Sequence, residues 1–199
     1  MKTINKLKIM DSTSIKHIRG KDKKVIIFGA GVIGEVLYYA CQEVGITIDY
    51  YVDNNTNLTK FKISGLEIID ARNLKDNVKN AVFIISSTYM KEIVDQLSEY
   101  GYSDFYDCVN LIRNLDSQKY QYNYPQHYVE FFIDACVMAQ NGYLYPNKLT
   151  MRNVDIVVTE KCSMKCQDCS NLMQYYQTPK NYTFKELNQE LNVLFSYVD

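Results

Sequence analysis

Three cysteines near the C-terminal end of this 199-residue chain lie close enough together in sequence to bind one metal centre. Cys162, Cys166 and Cys169 have the spacing C-x3-C-x2-C, and they follow the β-branched run Val154–Thr159, which predicts a strand. Thiolates are the ligands that soft metal centres prefer. A closed structural zinc site needs a fourth protein ligand, and no Cys or His follows Cys169. An iron–sulfur cluster with one open iron therefore fits this loop better than a closed zinc site.

The spacing of these cysteines after a strand resembles the radical S-adenosylmethionine (SAM) superfamily. In that superfamily three cysteines bind three irons of a [4Fe–4S] cluster, and the fourth iron binds SAM. The resemblance implies that Cys162, Cys166 and Cys169 are the cluster ligands and that the activity is reductive cleavage of SAM. In such chemistry the cofactor reacts, while the protein binds and orients it. A zinc site and three cysteines without any metal are the alternatives.

A glycine-rich turn joins a predicted strand to a predicted helix in the N-terminal half. The strand is Lys23–Phe28, and Gly29, Gly31 and Gly34 follow it in the pattern G-x-G-x-x-G. In dinucleotide-binding folds the first glycine allows the tight turn, the second lets a phosphate approach, and the third lets helix and strand pack closely. Asp53 ends the next predicted strand, 24 positions after Gly29, where a carboxylate can contact a ribose hydroxyl. The pattern predicts a nucleotide site at these glycines and Asp53, with a purely structural role of the glycines as the alternative.

Strands and helices alternate through the rest of this half, which predicts a parallel sheet with flanking helices. Ala81–Ser86 is a nearly continuous apolar run, as expected for a central strand, and the polar residues Ser86–Thr88 either line the crevice or cap the next helix. Residues 22–112, with a Phe-Gly-Ala-Gly turn and a strand ending Tyr-Val-Asp-Asn-Asn, resemble the N-terminal Rossmann-like domain of bacterial sugar acyltransferases and related polysaccharide-biosynthesis enzymes. That resemblance implies a nucleotide-sugar in the crevice, and NAD(P) is the other ligand expected.

The chain divides by pattern into four segments. They are an N-terminal lead, a Rossmann-like nucleotide-binding domain, a linker with one helix, and the start of an incomplete radical SAM domain, at residues 1–21, 22–112, 113–150 and 151–199. In the last segment Thr183 and Glu186 form a capping box ahead of an apolar helical stripe. We therefore expect an α/β fold: a Rossmann-like parallel sheet with flanking helices, a helical linker, and the first β/α unit of a truncated radical SAM partial barrel.

Composition limits the class of protein and its partners. Hydrophobic residues make up 47% of the chain and charged residues 23%, which is an ordinary globular profile. The net charge of −1 gives no electrostatic case for nucleic acid or an anionic membrane, and no apolar run is long enough to span a bilayer. The N-terminus lacks the apolar core of a signal peptide. We expect a cytoplasmic protein with a small-molecule or peptide substrate, without nucleic-acid or membrane partners, and with Cys41, Cys108 and Cys136 buried.

Two functions are compatible with these patterns. The first is the N-terminal part of a radical SAM enzyme that binds a [4Fe–4S] cluster to cleave SAM and carries a nucleotide- or nucleotide-sugar-binding domain. The second is a non-catalytic nucleotide- or nucleotide-sugar-binding module whose cysteine loop is vestigial or metal-stabilised. In the first case we expect the 199-residue chain to be inactive alone and to self-associate through the apolar face of its incomplete C-terminal region.

Overall fold

The chain divides into two compact units, Met1–Leu144 and Tyr145–Asp199. The computed structural model describes residues 7–20, 23–74, 80–146, 156–164, 166 and 175–195. No helix among these residues is both long and apolar enough to cross a membrane.

A six-stranded sheet organises the first unit. Its strands are β1 (Lys24–Phe28), β2 (Tyr50–Asp53), β3 (Lys62–Ile63), β4 (Leu66–Asp70), β5 (Ala81–Ile85) and β6 (Phe105–Asp107). Their order in the sheet is β3–β4–β2–β1–β5–β6, and every neighbouring pair is parallel except the antiparallel hairpin of β3 and β4. Ser64 and Gly65 both have positive φ, at 51° and 79°, as the tight turn of that hairpin requires. The predicted α/β fold with a mostly parallel sheet is confirmed, whereas the hairpin at one edge was not expected.

Helices flank this sheet. They are α1 (Ser12–Arg19), α2 (Val32–Glu43), α3 (Met90–Glu99), α4 (Val109–Asn114) and α5 (Gln126–Leu144), with short 3-10 turns at Thr56–Lys60, Ala71–Asn73 and Ser117–Lys119. Helix α5 lies in the segment expected to be a linker, and it packs against α2 and α4 inside the first unit. Val129 and Cys136 of α5 are fully buried, which explains why this helix stays with the sheet.

The two central strands form the middle of the core. Ile26 and Ile27 of β1 and Ile84 and Ile85 of β5 have no exposed surface. Successive side chains of a strand point to opposite faces, so both faces of the sheet are covered at this point. Burying each such side chain stabilises the fold by roughly 1.5–3 kcal/mol. The carboxyl ends of β1 and β5 are therefore held rigidly, and the segments that follow them are well placed to form a site.

The N-terminal lead continues the sheet beyond β6. Lys8 forms a parallel bridge with Tyr106, since the Lys8 amide donates to Phe105 O at 3.1 Å and the Asp107 amide donates to Lys8 O at 3.0 Å. Met10 is fully buried next to this bridge. Residues 7–20 are thus an integral part of the first unit.

The second unit contains helix α6 (Phe184–Phe195) and one antiparallel bridge, between Thr159 and Asn181, among its described residues. The predicted capping box is confirmed, because the Glu186 carboxylate accepts from the Thr183 amide at 2.8 Å and the Glu186 amide donates to Thr183 Oγ1 at 3.3 Å. The expected barrel strand over residues 154–159 is not observed at its described positions. An antiparallel bridge closes the loop there, so a radical SAM partial barrel is not shown.

Candidate functional site

The order of the strands creates a crevice at the carboxyl ends of β1 and β5. From β1 the chain proceeds through α2 to β2 on one side, whereas β5 lies on the other side of β1 and leads into α3. The loops that leave β1 and β5 therefore diverge to opposite sides. In open α/β sheets such a reversal of strand order is where ligands bind.

The first and third glycines of the turn after β1 are required by packing. Gly29 has φ +116°, and a Cβ atom added there would lie 2.6 Å from the carbonyl oxygen of Ser86. A Cβ atom added at Gly34 would collide with the carbonyl oxygen of Gly29. Any larger residue at either position must therefore displace backbone atoms. These contacts agree with the expected roles of the two glycines in the turn and in helix–strand packing.

The second glycine faces open space instead. An added Cβ at Gly31 would meet no atom within 4 Å, and its φ of −93° is allowed for every residue. Gly31 is also the N-cap of α2, and no side chain caps this helix end. The first amides of a helix lack intrahelical partners and carry partial positive charge, which suits an anionic ligand. Gly31 is thus the one glycine of the motif whose missing side chain leaves room for a ligand.

The carboxylate of Asp53 fastens the glycine turn to the end of β2. Its Oδ2 accepts from the Ala30 amide at 2.7 Å, and its Oδ1 accepts from the Asn55 amide at 2.7 Å. Each carboxylate oxygen has two lone-pair directions, so both can accept a further hydrogen bond from a ribose hydroxyl. Sequence reasoning placed Asp53 correctly beside the turn but did not foresee its bonds to the backbone, which depend on the path of the turn.

The serines after β5 have separate tasks. Ser86 is buried, and its hydroxyl lies 2.8 Å from Gly29 O and 3.0 Å from Phe28 O, so it ties β5 to the glycine turn. Ser87 lines the crevice and accepts from the Tyr89 amide at 3.1 Å, just before α3. Ser87 therefore lines the crevice, as expected, whereas the N-cap of α3 is Tyr89 and no side chain caps that helix.

These segments enclose a cleft of about 450 Å³. Its lining residues come from the ends of β1 and β2, from the loop after β5 and from α3: Phe28, Gly29, Asp53, Asn54, Asn55, Ser87, Tyr89, Glu92 and Ile93. The only ionisable carboxylates among them are Asp53 and Glu92, and no Lys or Arg is among the described lining residues. Tyr89 is 68% exposed, so its ring is available to a ligand. The cleft is thus mildly acidic, with an aromatic side chain at one wall.

A pair of hydrogen-bonded amide side chains, Asn54 and Gln96, connects the loop after β2 to helix α3. Asn54 Nδ2 donates to Gln96 Oε1 at 3.0 Å, and Gln96 Nε2 donates to Asn54 Oδ1 at 2.9 Å. Gln96 lies four residues after Glu92 and three after Ile93, on the same face of α3. Sequence reasoning missed this pair, although the helical spacing from an apolar position was a signal for Gln96.

A second carboxylate lies on the first turn of α2, away from the cleft lining. Glu35 is 3% exposed and accepts from the Asn123 amide at 3.1 Å and from Asn123 Nδ2 at 2.7 Å. Burial raises the pKa of the Glu35 carboxyl, while the two hydrogen bonds from Asn123 oppose that rise. The residue therefore anchors the segment before α5 to α2.

The cysteine loop is only partly described. Cys162 and Cys166 are exposed free thiols, whereas Cys169 lies outside the described residues. No group of three or more potential metal ligands is found among the residues that the structure describes. Metal binding by these three cysteines stays a prediction. Cys41, Cys108 and Cys136 are buried as predicted.

Residues 21–105 match the family model described as C2185-like, N-terminal. The match covers less than half of the chain. A search of curated proteins found no match.

Among solved structures, similarity is found to the Rex-family repressor RSP. The complex of RSP with β-NAD+ and operator DNA shares 22% identity at a TM-score of 0.38, over 47% of this chain and 46% of that one. A second structure, described as RSP, a Rex-family repressor, shares 24% identity at a TM-score of 0.36, over 44% of this chain and 45% of that one. The complex with β-NADH shares 22% identity at a TM-score of 0.37, over 57% of this chain and 54% of that one. The similarity thus spans about half the length of the RSP chain.

These comparisons correct the resemblances expected from the sequence. The expected resemblances to the radical SAM superfamily and to the sugar acyltransferases were both wrong. The family model that matches is C2185-like, and the similar structures are of a Rex-family repressor. The two functions built on those resemblances were wrong with them, and the [4Fe–4S] cluster and SAM have no support. The cause is that Cys162, Cys166 and Cys169 are a short signal, and a loop of three thiolates suits several metals or none.

The expectation that nucleic acid is not a partner was also wrong, since the similar structure of RSP contains operator DNA. That expectation used the net charge of −1, which is an average over the whole chain. A total charge near zero does not describe the local charge of any one surface.

Proposed function

We propose that the first unit binds a dinucleotide of the NAD class in the crevice between β1 and β5. The observation that best supports this proposal is the open space at Gly31, at a helix N-terminus that no side chain caps. The pyrophosphate of the ligand lies against Gly31 and the first amides of α2, where the helix dipole favours negative charge. Gly29 and Gly34 shape this turn, and Asp53 accepts from a ribose hydroxyl.

The charges of the cleft favour NAD(H) over NADP(H). A 2′-phosphate on the ribose would lie close to the carboxylate of Asp53, and no described Lys or Arg lines the cleft to compensate. Like charges at short distance disfavour binding, whereas the free 2′-hydroxyl of NAD donates to the same carboxylate.

The similar structures agree with a nucleotide cofactor. RSP is described in complex with β-NAD+ and with β-NADH. The proposal depends on the geometry of the crevice. The proposal includes a cytoplasmic location, because the five described cysteines are free and a reducing compartment keeps them so.

The test is binding of NAD+, NADH, NADP+ and UDP-glucose to the full chain, measured by thermal shift and calorimetry. A ligand at one hundred times its Kd stabilises the folded state by about 2.7 kcal/mol, which raises Tm by about 5–10 °C in a protein of this size. We expect that rise with NAD+ or NADH, a smaller one with NADP+ and none with UDP-glucose.

The Gly31→Val variant tests whether the ligand binds in the crevice. The Cβ atom of the new side chain enters open space, so we expect the unliganded Tm to stay close to that of the wild type while binding is lost. Gly20→Val is the matched control, because Gly20 also has negative φ and its added Cβ lies no closer than 3.5 Å to its neighbours. Absence of binding to the wild type, or equal binding by Gly31→Val, would show that the glycines serve packing alone.

A further inference from the structure

The paired amides of Asn54 and Gln96 lie beside Asp53, at the border of the cleft that Asn54 lines. Asn54 directly follows Asp53, whose carboxylate is assigned to the ribose, and the inference rests on that assignment. A base attached to this ribose extends past β2 toward α3, over the part of the cleft that Asn54 and Tyr89 line. Gln96 borders the same region from the next turn of α3.

We propose that Asn54 and Gln96 form an adenine-recognition subsite, in which the pair opens and each amide binds one edge of the base. A primary amide presents one donor and one acceptor side by side. Adenine presents the same complementary pair through its N6 amino group and a ring nitrogen, and Asn or Gln binds it through two hydrogen bonds.

The hydrogen bonds between Asn54 and Gln96 explain how both amide side chains are satisfied when no ligand is bound. In the free protein each amide satisfies the other, with donor–acceptor distances of 3.0 Å and 2.9 Å. Binding exchanges one amide–amide pair for two amide–base pairs, so each amide still makes two hydrogen bonds. A base that cannot offer a donor beside an acceptor leaves an amide unsatisfied, and unmade hydrogen bonds are what penalise a wrong ligand.

Tyr89 stacks on the face of the base, while the two amides bind its edges. Its ring is 68% exposed and belongs to the cleft lining. Stacking on an aromatic ring does not distinguish between bases, since every base has a π face. Discrimination therefore comes from Asn54 and Gln96.

The experiment compares ADP-ribose with its 1,N6-etheno derivative, which keeps the ribose and phosphates but has no N6 donor. We expect the full-length wild-type chain to bind ADP-ribose more tightly by about tenfold or more, the discrimination that a bidentate amide contact provides. Asn54→Ala and Gln96→Ala should each reduce this ratio toward one. Gln42→Ala should keep it, because Gln42 bonds to Tyr38 near the far end of α2, about 15 Å along the helix from the glycine turn.

The outcomes separate this inference from the proposed function. If the wild type binds both ligands with equal affinity, or if the ratio survives in Asn54→Ala and Gln96→Ala, the amides do not recognise the base and the inference is overturned while dinucleotide binding stands. If neither ADP-ribose nor NAD+ binds the wild type at all, the proposed function fails and the subsite fails with it. Circular dichroism of both variants confirms folding, and we expect native spectra because Asn54 is exposed and Gln96 is half-buried.

Discussion

Replacing Gly34 by Ala should destabilise the protein, although the position lies inside a helix where Ala is normally the better residue. The added Cβ collides with the carbonyl oxygen of Gly29. That carbonyl cannot move freely, because the Gly29 amide donates to Val52 O at 2.8 Å and the Ser86 hydroxyl lies 2.8 Å from Gly29 O. The turn is thus held from β2 and from β5 at the same time.

The expected magnitude follows from three effects. Overpacking a rigid region raises the free energy of the folded state by about 1–3 kcal/mol. Weakening the hydrogen bond between Ser86 and Gly29 adds about 1 kcal/mol to this destabilisation, whereas the better helix propensity of Ala offsets about 1 kcal/mol of it. We therefore expect a loss of about 1–3 kcal/mol in the free energy of unfolding, or a fall of very roughly 2–10 °C in Tm.

Gly31→Ala is the matched comparison in the same turn. Its added Cβ meets nothing within 4 Å, so only the poor N-cap preference of Ala and the lower entropy of the unfolded chain act on stability, and they oppose each other. Urea unfolding of both variants measures the difference directly. If Gly34→Ala and Gly31→Ala differ by less than about 0.5 kcal/mol, the close contact between the turn and α2 is not present in solution and the reasoning is refuted.

Two further predictions concern a buried acid and the cysteine loop. Because burial raises the pKa of Glu35 above its ordinary 4.5, its contribution to stability is present below the unfolded-state pKa and is lost as pH rises through the folded-state pKa. The unfolding free energy of the wild type minus that of Glu35→Gln should therefore decline in urea titrations as pH rises above the ordinary pKa of 4.5, and a difference that rises with pH would contradict this sign. The chain should bind cobalt(II) with thiolate charge-transfer absorption that disappears in the triple Cys162, Cys166, Cys169→Ala variant, because three thiolates on one loop suit a soft metal site. Cys41→Ala should keep the absorption since Cys41 is buried elsewhere, and equal absorption by the triple variant would exclude the loop as the metal site.

Local pattern was sufficient to predict the strand, the turn and the helix around the three glycines. These elements are contiguous in sequence, and Gly34 is required by the carbonyl oxygen of Gly29, which the same motif brings close, whereas Gly29 is required by Ser86 after β5. Asp53 was found by its distance in sequence from Gly29, because one helix and one strand fix that distance. Its bonds to Ala30 and Asn55 were not found, since they depend on where the turn passes relative to β2.

Short or isolated elements escaped prediction for a different reason. The bridge of Lys8 to Tyr106 involves too few residues to show a periodic pattern, and its partner lies almost one hundred positions away in sequence. The hairpin of β3 and β4 has only two residues in its first strand. In the second unit, the apolar run before Cys162 indicated a strand, but its described part forms an antiparallel bridge to Asn181. Hydrophobic periodicity reports burial, and it does not report which partner a segment finds.

The base end of the crevice depends on the sheet as a whole. Asn54 and Gln96 are 42 positions apart and meet only because β1 and β5 are adjacent, so that the loop after β2 and helix α3 flank the same crevice. A different strand order with the same local motifs would keep the glycine turn and separate the two amides. The contacts proposed for a pyrophosphate are therefore local to the motif, whereas the contacts proposed for a base are created by topology. For this reason the choice of base could be proposed from the structure but not from the sequence.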